Sequence, residues 1–126
     1  MNVTNNQLNV LGEVLSPCSK DPLTGYFRDG YCHTCHEDSG IHTVCALMDE
    51  TFLDFSMRAG NDLSTPRPEF GFSGVKAGDF WCLCAGRWLE AYKNNCAPKV
   101  SLRATNEETL AVIPLEILRK FAIDSE

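Results

Sequence analysis

No window of this sequence approaches the ~18 apolar residues that a membrane-spanning helix requires, so no transmembrane partner surface is expected. Runs of basic residues are also missing, and the only adjacent pair is Arg119-Lys120. With a formal net charge of −6, the chain lacks the basic surface whose counterion release drives nucleic-acid binding, which excludes that partner class. The opening residues Met1-Asn2-Val3-Thr4-Asn5-Asn6-Gln7 carry neither a positive charge nor an apolar stretch. They do not read as a signal peptide, and a cytoplasmic location is the expectation. Internal repeats and low-complexity segments are absent as well.

What is present is an ordinary globular composition, 44% apolar and 22% charged over 126 residues. That length predicts one domain with a real core. Seven cysteines are an odd number. In a reducing compartment they are expected to be free thiols, metal ligands or transient redox partners, not a structural disulfide set.

Residues 1–8 are polar and read as a flexible tail, with the domain spanning 9–126. Asn9-Val10-Leu11 suggests a short strand or bridge. From Ser16 to Gly40 the chain is turn chemistry: Pro17, Asp21-Pro22, Thr24-Gly25, Asp29-Gly30 and Asp38-Ser39-Gly40. So long a loop needs something internal to hold it, and Tyr26, Phe27, Tyr31 or a metal could serve. Thr43 to Met48 is a short apolar run, best read as a buried strand. Asp49 then caps a helix whose Phe52, Phe55 and Ala59, with Leu53 and Met57 alongside, form an apolar core-packing face ended by Gly60. Residues 60–79 make a second long loop, in which Pro66 and Pro68 forbid a central strand or a helix interior and Phe70 and Phe72 anchor the end. Asp79 to Cys84 is a strand buried on both faces. Ala85 to Asn94 is a helix, and Val100, Leu102 and Ala104 alternate as a half-exposed strand. Leu110 to Ile113 suggests a further strand or bridge. Pro114 opens a last helix with a Leu115, Leu118 and Ala122 stripe.

The expected fold class is therefore α+β: a single-domain two-layer α/β sandwich with a small sheet, helices on one face and two long ordered loops.

Several stretches resemble a small bacterial family known as the domain of unknown function number twenty-two thirty-seven. They are Asn9-Val10-Leu11-Gly12, Pro17-Cys18, Asp21-Pro22-Leu23-Thr24-Gly25 and Arg28-Asp29-Gly30. His42-Thr43-Val44-Cys45-Ala46, the Gly60-to-Phe70 run, Trp81-Cys82-Leu83-Cys84-Ala85 and Arg87-Trp88 follow. The resemblance covers nearly the whole chain. It implies a single two-layer α/β domain and no assigned activity. Where this chain reads Cys32-His33-Thr34-Cys35-His36-Glu37-Asp38, the family pattern resembles Cys-Asn-Thr-Gly-Pro-Glu-Asp. Cys18, Cys32, Cys45, Cys82 and Cys84 match the pattern, whereas Cys35 and Cys96 do not.

The C-x-x-C-H run from Cys32 to His36 has the spacing of covalent haem attachment, but that assembly needs an exported chain, so haem is disfavoured. A thioredoxin-type dithiol wants its first cysteine at a helix N-terminus, and no helical pattern follows Cys35 closely. Zinc suits thiolate and imidazole donors. Cys32, Cys35 and His36 are the metal candidates, with Cys18 or Cys45 able to complete the set. Cys82 and Cys84 are two apart on a strand, so both sulfurs lie on one face about 6.5 Å apart, too far for an easy disulfide between them.

The polar loop residues point to a pocket between the loops 18–42 and 60–72. There Arg28 and Arg67 would receive a small anion, with Asn61 and Thr65 as further ligand-binding candidates. His42 with Asp29 or Asp62 would move a proton, and Cys45 would be the nucleophile. On a regular strand residues 42 and 45 face opposite ways, so that pair needs a bulge. Small-molecule or anion binding is the favoured function, with enzymatic activity left open. The alternative is a zinc-stabilised or purely protein-interaction module without catalysis.

Overall fold

The computed structural model describes residues 7–124. Three strands form one antiparallel sheet in the order β2-β1-β3, with β1 at His42–Leu47, β2 at Phe80–Cys84 and β3 at Lys99–Val100. Three helices accompany it, α1 at Glu50–Arg58, α2 at Ala85–Lys93 and α3 at Leu115–Lys120. The expected α+β class holds. Of the predicted tail at 1–8, residues 1–6 lie outside the described residues. Leu8 pairs with Val14, and the Gln7 side chain bonds to the backbone of Thr34.

The period of two along the strands sorts the sheet into two faces. Val44, Ala46, Trp81 and Leu83 join the main core, where Phe52 and Leu53 of α1, Ala85, Trp88 and Ala91 of α2 and Leu118 of α3 meet them. Cys45 and Cys82 belong instead to a second buried cluster with Cys32 and Ala104, against which Cys18 and Phe80 pack. Helices thus close one face, and the first long loop closes the other.

Trp88 shows what the helical face needs. It is wholly buried, its indole N–H donates to the Pro98 carbonyl at 3.0 Å, and its ring lies 5.2 Å from Phe121 and 5.7 Å from Tyr92. At the start of α1, the Asp49 carboxylate accepts from the Phe52 N–H at 2.7 Å. Removing that cap with Asp49→Ala should cost about 1 kcal/mol of unfolding free energy, readable from the urea midpoint.

Four expectations about packing and local structure are corrected. Met57 is 45% exposed; five residues beyond Phe52 it sits about 140° round the helix, off the buried face. Phe70 is 77% exposed, because Gly71 turns the chain in the left-handed region and only Phe72 reaches the core, 5.8 Å from Trp81. Ser101 to Ala104 is not strand: the Asp124 carboxylate takes the Leu102 and Arg103 N–H groups that a ladder would have used. Leu110 lies within a 3-10 turn at Glu107–Ala111, started by the Asn106 side chain accepting from the Glu108 N–H.

The edge strand β2 is not left bare. The buried Thr24 hydroxyl accepts the Cys82 N–H at 2.9 Å, so the first loop satisfies an edge amide as it crosses.

Candidate functional site

Four cysteines tie the first loop to the sheet. Cys18 is bonded to Cys45 and Cys32 to Cys82. Cys45 and Cys82 are register partners across β1 and β2, and each takes its disulfide from the loop instead of from its neighbour. This overturns the expectation that no structural disulfides would form. These bonds and Thr24 hold the loop; Tyr26 and Phe27 remain 40% and 44% exposed. The sulfurs of Cys18, Cys32 and Cys82 all lie within 4.8 Å of one another, a group that could hold a metal ion once its disulfides are reduced.

The remaining cysteine on the sheet, Cys84, stands where β2 ends and α2 begins, and it is the N-cap residue of that helix. Its register partner is His42, the first residue of β1. An irregularity in the ladder between His42 and Val44 brings this about, since a regular strand would continue the alternation. Cys84 is the side chain that acts most strongly on the His42 ring. The ring Nδ1 is 2.7 Å from Asp38 Oδ1. The carboxylate accepts there, which leaves Nε2 as the ring nitrogen open to another partner.

Asp38 is fixed more firmly than either partner. It is 3% exposed, and its Oδ2 accepts from the His42 backbone N–H at 2.9 Å and from the Thr34 hydroxyl at 3.0 Å. Burial opposes the charged carboxylate, but the His42 N–H, the His42 ring and Thr34 together hold its pKa below the usual value. His42 is pushed the other way, up to about 9, chiefly by Cys84 beside it; burial opposes this, and the bond and attraction to Asp38 add to the rise.

Close packing leaves Gly40 no alternative. A Cβ there would sit 2.7 Å from His42 Cε1 and 3.3 Å from Cys84 Sγ. The third residue of the Asp38-Ser39-Gly40 turn is thus small because the sulfur and the imidazole pass beside it.

Cys84 opens onto two clefts. One, of about 170 Å³, is lined by Arg28, His42, Asn61, Leu63, Trp81, Cys82, Leu83 and Cys84. It lies between the two long loops. Arg28 adopts a positive φ of 55°, donates to the Gly25 carbonyl at 2.7 Å and lies over the Trp81 ring at 5.4 Å. The other cleft is bounded by Gly40, Cys84, Gly86, Arg87 and Glu90. At Gly86 there is open space where a side chain would stand, so the first turn of α2 is accessible beside the sulfur.

The residues singled out from the sequence fall into two groups. His42, Arg28 and Asn61 are brought together. The others go elsewhere, for reasons visible in their bonds. Cys45 is committed to Cys18, so it offers no thiol. Asp29 pairs with His33 Nδ1 at 2.8 Å and accepts the Tyr31 N–H. Asp62 is exposed and caps its own loop through Ser64 and Thr65, which also occupies the Thr65 hydroxyl. Arg67 is 60% exposed and faces Glu69 at 3.7 Å. The metal candidates separate too: Cys32 is buried in its disulfide, while the Cys35 thiol meets Glu37. Cys35 and His36 line a separate cavity of about 600 Å³ with Thr34, Asn106 and Glu107. The C-x-x-C-H run therefore does not present two thiols.

Asp38 and Cys84 are the site residues that sequence reasoning missed. The signal for Asp38 was its spacing of four from His42; for Cys84 it was the step from a strand directly into a helix. The described residues include no helix long and apolar enough to cross a membrane. No curated protein matches this chain. The profile of an uncharacterised protein family conserved in bacteria, domain of unknown function 2237, matches residues 8–122, and the chain belongs to that family.

Proposed function

We propose that Cys84, His42 and Asp38 are the catalytic centre of a thiol-dependent enzyme acting on a small acyl substrate bound between the two loops. The observation that supports this reading best is the line formed by Cys84, its register partner His42 and the buried Asp38 carboxylate bonded to that ring. That line gives each group a role: nucleophile, acid and base, and the residue that orients the base. Arg28, held over Trp81 in the same cleft, is the group suited to a substrate carboxylate.

In the first step His42 takes the Cys84 proton as the sulfur bonds to the carbonyl carbon, and the carbonyl electron pair moves to oxygen. Amides at the accessible start of α2 favour that negative charge. When the pair returns, the leaving group departs with a proton from His42. Water then attacks the resulting thioester, His42 takes its proton, and the acid is released as the sulfur regains the proton.

The test is site-resolved labelling of the full chain. Cys35, Cys84 and Cys96 are the free cysteines. With iodoacetamide at pH 7, Cys84 should be alkylated at least about tenfold faster than Cys35 or Cys96. With p-nitrophenyl acetate, the acetyl group should appear on Cys84, and Cys84→Ser should lose the burst of nitrophenol. Equal labelling of the three cysteines, with no acetyl on Cys84, would overturn the proposal.

A second reading, a zinc-stabilised interaction module without catalysis, is favoured by one observation: the close approach of the Cys18, Cys32 and Cys82 sulfurs.

A further inference from the structure

We infer that Cys18, Cys32, Cys45 and Cys82 form one tetrahedral thiolate site for a single thiophilic ion such as zinc when both disulfides are reduced. Disulfide bonding and metal binding are then alternative states of the same four sulfurs. This deepens the metal reading above and is independent of Cys84.

The geometry of the oxidised cluster is the starting point. Sulfurs from two different disulfides already lie within 4.8 Å of one another at Cys18, Cys32 and Cys82. Cys45 is bonded directly to Cys18, so the fourth sulfur is one bond from that group. A tetrahedral zinc–thiolate centre has Zn–S bonds of about 2.3 Å, which puts its sulfurs about 3.8 Å apart. Reduction lengthens the two bonded pairs toward that separation; the Cys18, Cys32 and Cys82 sulfurs then contract modestly, and the Cys45 sulfur, which lies outside that group, swings in once its bond to Cys18 is broken.

The scaffold supplies the donors in a sensible way. Two come from register partners on the central and edge strands, held by the ladder and by the bonds of Cys45 N–H to Thr105 and of Cys82 N–H to Thr24. The other two come from the loop that those strands anchor. Cys32, Cys45 and Cys82 are at most 2% exposed, whereas Cys18 is only partly buried and gives an ion its way in. The rest of the cluster is Ala104 and Phe80. An all-sulfur donor set in apolar surroundings selects zinc or another soft ion over magnesium or calcium.

The chemistry balances with a dithiol as reductant. Each disulfide takes two electrons and two protons from one dithiol, which leaves as its own disulfide. The four cysteine thiols release four protons as the ion forms four metal–sulfur bonds. In reverse, two molecules of peroxide each accept two electrons and two protons and become water, two disulfides form, and the ion departs.

Cobalt(II) is the probe, because tetrahedral thiolate coordination gives it strong sulfur-to-metal charge transfer and visible bands. The full chain carrying Cys35→Ser, Cys84→Ser and Cys96→Ser retains only the four cluster cysteines. After reduction with a phosphine and anaerobic removal of the reductant, it should bind one equivalent of cobalt with that spectrum, and zinc should displace it. The oxidised form of the same chain should bind none. Adding Cys45→Ser should weaken cobalt binding at least about tenfold. Far-UV circular dichroism of each reduced sample, taken with the spectrum, shows whether the chain is folded. A folded reduced chain with no stoichiometric cobalt overturns the inference, as does an unaltered tetrahedral spectrum after Cys45→Ser. A reduced chain that is unfolded and does not refold with cobalt overturns it too.

Discussion

Replacing Cys32 and Cys82 together by alanine should lower the unfolding free energy of the oxidised protein by about 4 kcal/mol, the loop-closure term for this separation. Their separation is 50 residues, against 27 for Cys18 and Cys45, for which the same term gives about 3.5 kcal/mol. The two losses will not add, because the loop closed by one bond overlaps the loop closed by the other. At roughly 3–5 °C per kcal/mol for a chain of this size, the Cys32–Cys82 change corresponds to a melting temperature about 15 °C lower. The measurement is thermal and urea unfolding with a chelator present, so that no metal substitutes for the missing bond. A loss below about 1 kcal/mol would mean that packing and the Thr24 and Asn106 bonds hold the loop by themselves.

The reason to expect a large effect is what the bond holds. The segment from Cys18 to Cys32 contains no helix or strand longer than an isolated bridge. Yet it covers one face of the sheet and carries Arg28 to the cleft beside Cys84. Without the staple, that face loses its cover, and the chain gains the conformational freedom of an irregular loop. Loss of Arg28 from the cleft should follow, so the same double variant links stability to the proposed site.

The strands and helices were legible because their signals are local. The apolar runs Thr43 to Met48 and Phe80 to Cys84 each mark a strand, and the 3.6 period marks α1 and α2. The elements that were misread depend on partners far along the chain. Asp124 intercepts the amides after β3, over 20 residues away, and no window around Ser101 contains that information. Disulfide pairing is non-local in the same sense. The five cysteines that carry the family resemblance turn out to divide four to one: four paired within the oxidised cluster, and Cys84 alone as a thiol. Composition could count seven sulfurs but could not pair them. The site was half legible. His42, Arg28 and Asn61, drawn from the two loops, do line one cleft. Cys45 was expected beside His42, and the ladder irregularity after His42, which cannot be read from residue types, puts Cys84 there instead, across the sheet.

That pairing makes a direct spectroscopic prediction. The His42 ring should titrate with a midpoint of about 9, well above the ordinary histidine value near 6.5. The groups facing the ring are Cys84 from β2, Asp38 from the turn before β1, and the Tyr26 ring at 6.3 Å from the first loop. Because Cys84 is the largest cause of the rise, Cys84→Ser should bring the midpoint down further than Asp38→Asn. Two-dimensional NMR of the imidazole protons follows His42 separately from His33 and His36. The sign for stability follows from the raised value. The folded state holds the His42 proton more tightly than the unfolded chain, so the stabilisation is fully present below about 6.5 and is lost as pH rises through about 9. Asp38 acts at the other end, where its lowered pKa contributes stability above the ordinary carboxylate range that disappears as pH falls below it. The His42 side chain is 38% exposed, so solvent screens part of the stabilisation while leaving the order of the variants unchanged. A midpoint near 6.5 in the unaltered protein would remove the sulfur–imidazole pair. A larger fall in Asp38→Asn than in Cys84→Ser would make the buried carboxylate, not the sulfur, the partner that sets the charge on the ring.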